Sequence, residues 1–181
     1  MRSPTRFALL GAALAAVAVA ALAVQAATGS QASTPTCAAS QLKGKELDSN
    51  GAAGTILFSV TLQNKGATCW LKGYPSLRIK GTSLWIEGSH GLLPTHVVHG
   101  GMSMLNGKPK LVNLKHSGKA SVLVSFEDVP VGSETSCPRG TALRLRPPGA
   151  SGWLTVKVET FACGHGTLHE SPVLAGVHSS Q

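Results

Sequence analysis

Apolar and polar residues alternate in one segment of this chain, and that segment constrains the fold more than any other. Apolar side chains occupy every second position from Ile56 to Leu62, which is the period of a strand with one buried face. Asn64-Lys65-Gly66 then ends the run with residues that favour a turn. A second alternating run, from Pro75 to Lys80, follows Cys69 and Trp70. The pattern predicts a central β-hairpin formed by the two runs and anchored by the cysteine.

Short alternating runs continue through the rest of the chain. One strand is predicted from Gln41 to Asp48, and another from Lys119 to Phe126 is predicted to form a hairpin with Leu111–Leu114. A last hairpin is predicted to join Thr141–Arg146 to Trp153–Phe161, with Leu side chains inward and Arg side chains outward. Seven to nine short strands of this kind, without helical periodicity after the N-terminus, predict an all-β, two-sheet β-sandwich.

Four cysteines follow the N-terminal apolar segment. An even number of cysteines in an exported chain indicates disulfides. The last hairpin brings Cys137 and Cys163 to its open end, because they lie at nearly equal distances from its turn. We therefore expect one disulfide between these two cysteines and, by elimination, a second between Cys37 and Cys69. Each should stabilise the fold by about 3–4 kcal/mol.

The N-terminus has the features of an export signal. Arg2 and Arg6 precede an apolar run of 18 residues, Phe7 to Val24, and small residues follow it. This pattern predicts a signal peptide at residues 1–26, cleaved after Ala26. The alternative is an uncleaved N-terminal membrane anchor, since 18 apolar residues reach the lower limit for spanning a bilayer.

The remainder is predicted to form a flexible linker, residues 27–36, and one β-sandwich domain, residues 37–177. The chain has 16 Lys and Arg against 8 Asp and Glu, for a formal net charge of +8. Such a charge suits attraction to anionic envelope polymers, whereas no nucleic-acid motif accompanies the basic residues. We expect a secreted protein, extracellular or in the cell wall, with no stable membrane span after cleavage. Its expected partner is an envelope or extracellular protein or polymer, not nucleic acid.

Several short motifs in this chain are characteristic of one family. They are Gly51-Ala52-Ala53-Gly54, Gln63-Asn64-Lys65-Gly66, Cys69-Trp70-Leu71, Gly73-Tyr74-Pro75 and Leu143-Arg144-Leu145-Arg146-Pro147-Pro148. With them the chain resembles the secreted actinobacterial family called domain of unknown function 4232, over roughly residues 37 to 174. The resemblance implies an immunoglobulin-like β fold in an exported protein, and it carries over no catalytic residue.

The methionines suggest one specific chemistry. Apart from Met1, the only methionines are Met102 and Met104, and both lie close to His96 and His99. Imidazole and thioether ligands together suit copper, with sulfur favouring the cuprous state. The two histidines would lie on opposite faces of a strand, so all four residues could converge only if the intervening glycines bend the chain. The alternative function is therefore an extracellular copper-binding protein that uses this loop; otherwise the loop is simply polar.

Enzymatic signatures are missing from the sequence. It contains no Gly-x-Ser-x-Gly elbow, no His-Glu-x-x-His motif and no phosphate-binding loop. If all four cysteines form disulfides, no thiol nucleophile remains. We therefore expect a non-enzymatic module without a cofactor. Trp70 is expected in the core beside its disulfide, and Trp85, in a strand predicted from Thr82 to Glu87, is also expected to be buried.

Overall fold

The computed structural model describes residues 33–81 and 91–181. They form two short 3-10 turns, Ala39–Gln41 and Gly164–Gly166, and no α-helix occurs in these ranges. The strands are Leu42–Ala52 (β1), Thr55–Asn64 (β2), Cys69–Leu71 (β3), Ser76–Gly81 (β4), His96–His99 (β5), Val112–Leu114 (β6), Lys119–Glu127 (β7), Arg139–Arg146 (β8), Leu154–Phe161 (β9), Thr167–Glu170 (β10) and Leu174–Ala175 (β11). The predicted signal peptide and the strand predicted at Thr82–Glu87, with Trp85, lie outside the described residues.

The strands form three sheets. A large sheet has the order β1-β2-β7-β10-β5, and β11 pairs with β7 beside β10. A second sheet has the order β4-β8-β9, and a third consists of β3 and β6. Only β10 and β5 are parallel among these pairs. The inner faces of the sheets share one hydrophobic core, so the prediction of an all-β sandwich is confirmed.

Two predicted hairpins are wrong. The strand β2 pairs with β1 and β7, whereas β4 pairs with β8 in the other sheet. The segment between β2 and β4 includes β3, so it crosses between sheets and does not fold back. The second wrong hairpin is the one predicted between β6 and β7, because β6 pairs instead with β3 in the third sheet. The last predicted hairpin is confirmed, since β8 and β9 are adjacent and antiparallel.

Asn64, the last residue of β2, holds together the segment that follows β2 and the segment that joins β6 to β7. It is fully buried, and its Nδ2 donates to the carbonyl oxygens of Ala67 and Leu114 at 2.8 and 2.9 Å. Its Oδ1 accepts from the backbone N–H of Gly66 at 2.9 Å. Its own N–H donates to the carbonyl oxygen of Gly118. The amide of this one side chain therefore provides hydrogen bonds to backbone groups in both segments that have no partner on a neighbouring strand.

Both predicted disulfides are present. Cys37 pairs with Cys69, and Cys137 pairs with Cys163, each with Cα atoms 4.8 Å apart. None of the four cysteines is free. Residues 35–37 also lie beside β3, where Cys37 N–H donates to the carbonyl oxygen of Trp70 and Trp70 N–H to that of Pro35. The prediction that Trp70 lies in the core is wrong: it is only half-buried, since strand alternation turns it away from the side of its buried neighbours Cys69 and Leu71. Its Nε1 donates to the carbonyl oxygen of Thr34 at 2.8 Å.

The central strands β2 and β7 are buried on both faces. Their inward faces contribute Phe58 and Val122 to the main core. On the other face, Leu57, Leu123 and Leu105 form a second apolar cluster. A strict alternation of buried and exposed residues predicts a solvated outer face, so this second cluster was not expected from the sequence.

The C-terminal segment covers that outer face. Beyond β11 it crosses the strands of the large sheet, and its backbone bonds to polar side chains on three of them. Ser121 Oγ of β7 donates to Gly176 O at 2.9 Å, and Ser59 Oγ of β2 donates to His178 O. Ser180 N–H donates to Asp48 Oδ1 of β1 at 3.0 Å. These bonds explain how Ser59 and Ser121 can be fully buried in strands.

No helix in the described part of the chain is long and apolar enough to cross a membrane.

Candidate functional site

The outer face of the three-stranded sheet carries a group of basic side chains. Along β4 and β8 the core-facing side chains are mainly Leu and Ile, so the intervening side chains point outward. The outward-pointing residues include Arg78 of β4 and Arg144 and Arg146 of β8. The strand register places Arg78 directly opposite Arg144. Arginines that are distant in the sequence thus become neighbours on one surface.

Trp153, the residue before β9, lies among these arginines. The guanidinium carbons of Arg78, Arg146 and Arg144 lie 5.0, 5.2 and 5.4 Å from the centroid of its ring. At such distances a cation is attracted by the electron-rich face of the indole. Arg146 Nη2 also donates to Ser76 Oγ at 3.2 Å. We call Arg78, Arg144, Arg146 and Trp153 the arginine–tryptophan surface.

Two lysines extend the positive charge along the same face. Lys80 of β4 and Lys157 of β9 both lie opposite Ala142 of β8. Beside them Arg139 and Glu159 form an ion pair at the edge of a groove of about 460 Å³. Within residues 33–81 and 91–181, no carboxylate pairs with an arginine of the arginine–tryptophan surface. Its positive charge is therefore not neutralised by the described residues.

Only part of this surface was predictable from the sequence. The predicted outward direction of Arg144 and Arg146 is confirmed, but their gathering around an aromatic ring was not predicted. The register of the predicted β8–β9 hairpin also indicated that Trp153 lies near these arginines. Leu145 pairs with Leu154, so the next position places Arg146 across from Trp153. The addition of Arg78 depends on the long-range pairing of β4 with β8.

A second basic region lies on the outer face of the large sheet. Lys43 of β1 is opposite Gln63 of β2, which is opposite Lys119 of β7. With Lys45 and the exposed Leu47, these lysines line a groove of about 260 Å³, which we call the lysine groove. The residues that line it include no aromatic side chain, so these lysines lack the fixed positions that the arginines obtain from Trp153.

The predicted copper ligands are distributed over a strand and the loop after it. His96 and His99 are the two ends of β5, and strand alternation places them on opposite faces. Met102 and Met104 are 36% and 44% exposed and line a shallow groove beside the turn that joins β1 to β2. In the described part of the chain, no three His, Cys, Asp or Glu residues could together hold a metal. The structure gives the copper hypothesis no support.

His99 contacts two other side chains. Its ring stacks on Tyr74 with the centroids 4.0 Å apart, and its Nδ1 lies 3.0 Å from Oε1 of Glu170. The Glu170 side chain is 0% exposed, and neither carboxyl oxygen has an aligned hydrogen-bond donor. The contact with His99 is thus close but poorly directed. Burial raises the pKa of Glu170 from 4.5 to about 8.

Comparison with curated proteins gives no significant match. Among solved structures, a β-glucosidase from Kluyveromyces marxianus is similar over 66% of this chain, with 13% sequence identity and a TM-score of 0.30. The matched region spans 14% of that enzyme, and a likeness this weak indicates neither fold nor activity.

The comparison with protein families gives a specific result. The family described as Domain of unknown function (DUF4232) matches residues 37–174. This range includes ten of the described strands and all four cysteines, and it extends to the first residue of β11. The chain therefore belongs to the DUF4232 family.

Proposed function

We propose that this chain is a non-enzymatic binding module that acts outside the cytoplasm and binds an anionic envelope or extracellular polymer. The observation that carries the proposal is the gathering of three guanidinium groups around Trp153 without a carboxylate partner in the described structure. Each group is within 5.4 Å of one centroid, so all three lie within about 11 Å of one another. This separation is close to the Debye length of about 8 Å at physiological ionic strength, so dissolved salt does not screen the three charges fully. All three guanidinium groups therefore attract the same anion.

The chemistry of the surface supports an anionic partner. A guanidinium presents a planar fork of N–H donors that matches the oxygens of phosphate, sulfate or carboxylate groups. Contact with Trp153 restricts the arginine side chains before a ligand arrives, which reduces the entropy lost on binding. The three like charges repel one another in the free protein, and an anion would relieve that repulsion.

Two observations support the proposed location. The chain has two disulfides, which persist mainly in oxidising environments outside the cytoplasm. The N-terminal sequence also has the basic and apolar regions of an export signal. The absence of a known catalytic motif from the sequence supports a binding role rather than an enzymatic one.

Binding to heparin, a densely charged test polyanion, should depend on the arginine–tryptophan surface. We expect the full chain with its disulfides intact to bind immobilised heparin, and the affinity to fall as salt is added. The variant Arg78→Gln/Arg144→Gln/Arg146→Gln should bind about tenfold or more weakly, because it loses three contacts with anionic groups. Surface plasmon resonance at several salt concentrations measures both effects.

The matched control for that experiment is Lys43→Gln/Lys45→Gln/Lys119→Gln in the lysine groove. It removes the same charge from the opposite sheet, so a loss caused by net charge alone would be equal in the two variants. Equal losses, or no binding by the unmodified chain, would contradict the proposed function.

Export should produce a mature N-terminus at Ala27. Mass spectrometry of the protein secreted by its native host, or by a host with a compatible export system, should detect that terminus. An intact Met1 form found only in membranes would instead support the uncleaved anchor.

A further inference from the structure

The positive charges on the outer face of the three-stranded sheet form three successive rows. Arg146 provides the first row, and Arg78 with Arg144 provides the second. Lys80 and Lys157 provide the third, on either side of the same β8 residue. Each row crosses the strands, and moving from one row to the next means advancing two residues along a strand. The face therefore presents a short linear track of positive charge.

The spacing of the Cα atoms in successive rows is fixed by strand geometry, and the charged ends of the side chains lie above these positions. Two residues of a strand advance about 6.4–6.8 Å. The same two residues contain six covalent backbone bonds, so any extended polymer with six backbone bonds between charges has a similar spacing. The match is a property of extended covalent chains and does not depend on the chemical identity of the polymer.

From this spacing, and on the basis of the function proposed above, we infer that the partner is a linear phosphodiester polymer with three carbons between phosphates, of the poly(glycerol phosphate) type. Its repeat is one phosphorus, two oxygens and three carbons, which gives six backbone bonds per negative charge. Three consecutive phosphates would each lie over one row of cations. The middle row, with Arg78 and Arg144 facing each other, can grip one phosphate from both sides.

Other polyanions fit this track less well. In inorganic polyphosphate the charges are two bonds apart, so most of them would lie between rows. In hyaluronate one carboxylate occurs for every two sugar rings, so most rows would have no partner. The spacing of the charges should therefore give different affinities for these polyanions. Attraction to net charge alone would not distinguish between them.

Single-stranded nucleic acid has the same six-bond repeat but carries bases. Proteins that bind it without sequence preference use aromatic rings on which the bases stack. Trp153 is half-buried, and three guanidinium groups lie within 5.4 Å of its ring centroid. The ring is therefore used to position arginines, and this favours a polymer without bases.

The test compares four polyanions at equal charge concentration and ionic strength: poly(glycerol phosphate), inorganic polyphosphate, hyaluronate and oligothymidylate. Isothermal titration calorimetry with the full disulfide-bonded chain should give an affinity for poly(glycerol phosphate) at least about tenfold above the other three. Three phosphate contacts on a single strand predict that log K falls with log salt concentration with a slope of about −2.

Variants of single rows make the test sharper. Arg146→Gln, Arg78→Gln/Arg144→Gln and Lys80→Gln/Lys157→Gln each remove one row, so each should reduce the salt slope by about 0.7. Lys43→Gln/Lys45→Gln/Lys119→Gln in the lysine groove should leave the slope and the preference unchanged. Circular dichroism confirms that each variant is folded.

The outcomes separate this inference from the proposed function. Equal affinity for all four polyanions, with the loss still confined to the row variants, would overturn the inferred polymer and leave an anion-binding surface. Tighter binding of oligothymidylate would overturn the inferred polymer in favour of nucleic acid. Binding of none of the four would overturn both.

Discussion

The free energy of unfolding should fall by up to about 5 kcal/mol as the pH is raised from about 4.5 to about 8. The cause is Glu170, whose pKa burial raises from 4.5 to about 8. In the unfolded chain this carboxyl loses its proton near pH 4.5, whereas in the folded chain it keeps the proton until about pH 8. Between these values the folded state binds the extra proton, so each increase in pH favours the unfolded state. Urea denaturation at a series of pH values measures the effect.

The variant Glu170→Gln tests this assignment. Glutamine has nearly the same shape and no titrating proton, so the fall in stability across this pH range should largely disappear. Above pH 8 the variant should be more stable than the unmodified protein. Glu159→Gln is the matched control, because Glu159 is an exposed strand carboxylate, and it should leave the pH dependence intact. Parallel pH profiles for the unmodified protein and Glu170→Gln would show that Glu170 is not responsible.

Removing the Cys37–Cys69 disulfide should lower the free energy of unfolding by about 4 kcal/mol. The bond closes a loop between residues 32 positions apart, and both cysteines are fully buried. Without it the unfolded chain gains conformational entropy, and the segment before β1 loses its covalent attachment to β3. For a chain of this size the melting temperature of Cys37→Ala/Cys69→Ala should fall by about 10 °C, which differential scanning calorimetry measures.

Cys137→Ala/Cys163→Ala is the comparison for that experiment. Its loop is shorter, since the cysteines are 26 positions apart, and its two ends are already held near each other by the β8–β9 hairpin. Its loss of stability should therefore be no larger than that of the first variant. A change below about 1 kcal/mol for Cys37→Ala/Cys69→Ala would contradict the expected contribution of the bond.

The sequence predicted the faces of strands better than their partners. Alternation correctly assigned Phe58 and Val122 to the core, because burial of one face depends on local periodicity. The same pattern contains no information about which strand lies alongside. For that reason β4 was placed next to β2, although its true neighbour β8 comes more than fifty residues later. The β8–β9 hairpin and the Cys137–Cys163 disulfide were predicted correctly, because a short turn relates their partners, and the Cys37–Cys69 disulfide then followed by elimination.

The candidate site was predictable in part for the same reason. The outward direction of Arg144 follows from alternation, and its nearness to Trp153 follows from the hairpin register. The contribution of Arg78 follows only from long-range pairing. The burial of Glu170 also had no local signal, since its polar neighbours in the sequence are typical of an exposed segment.

The position of β10 and β11 determines when this protein can finish folding. Both strands pair with the same edge of β7, and they follow it in the sequence by about forty residues or more. Until residues 167–175 join the sheet, β7 has an edge of unpaired N–H and C=O groups in the middle of the future sheet. The large sheet is therefore completed late, and a shortened chain that stops before Thr167 would expose an edge able to pair with other chains and aggregate.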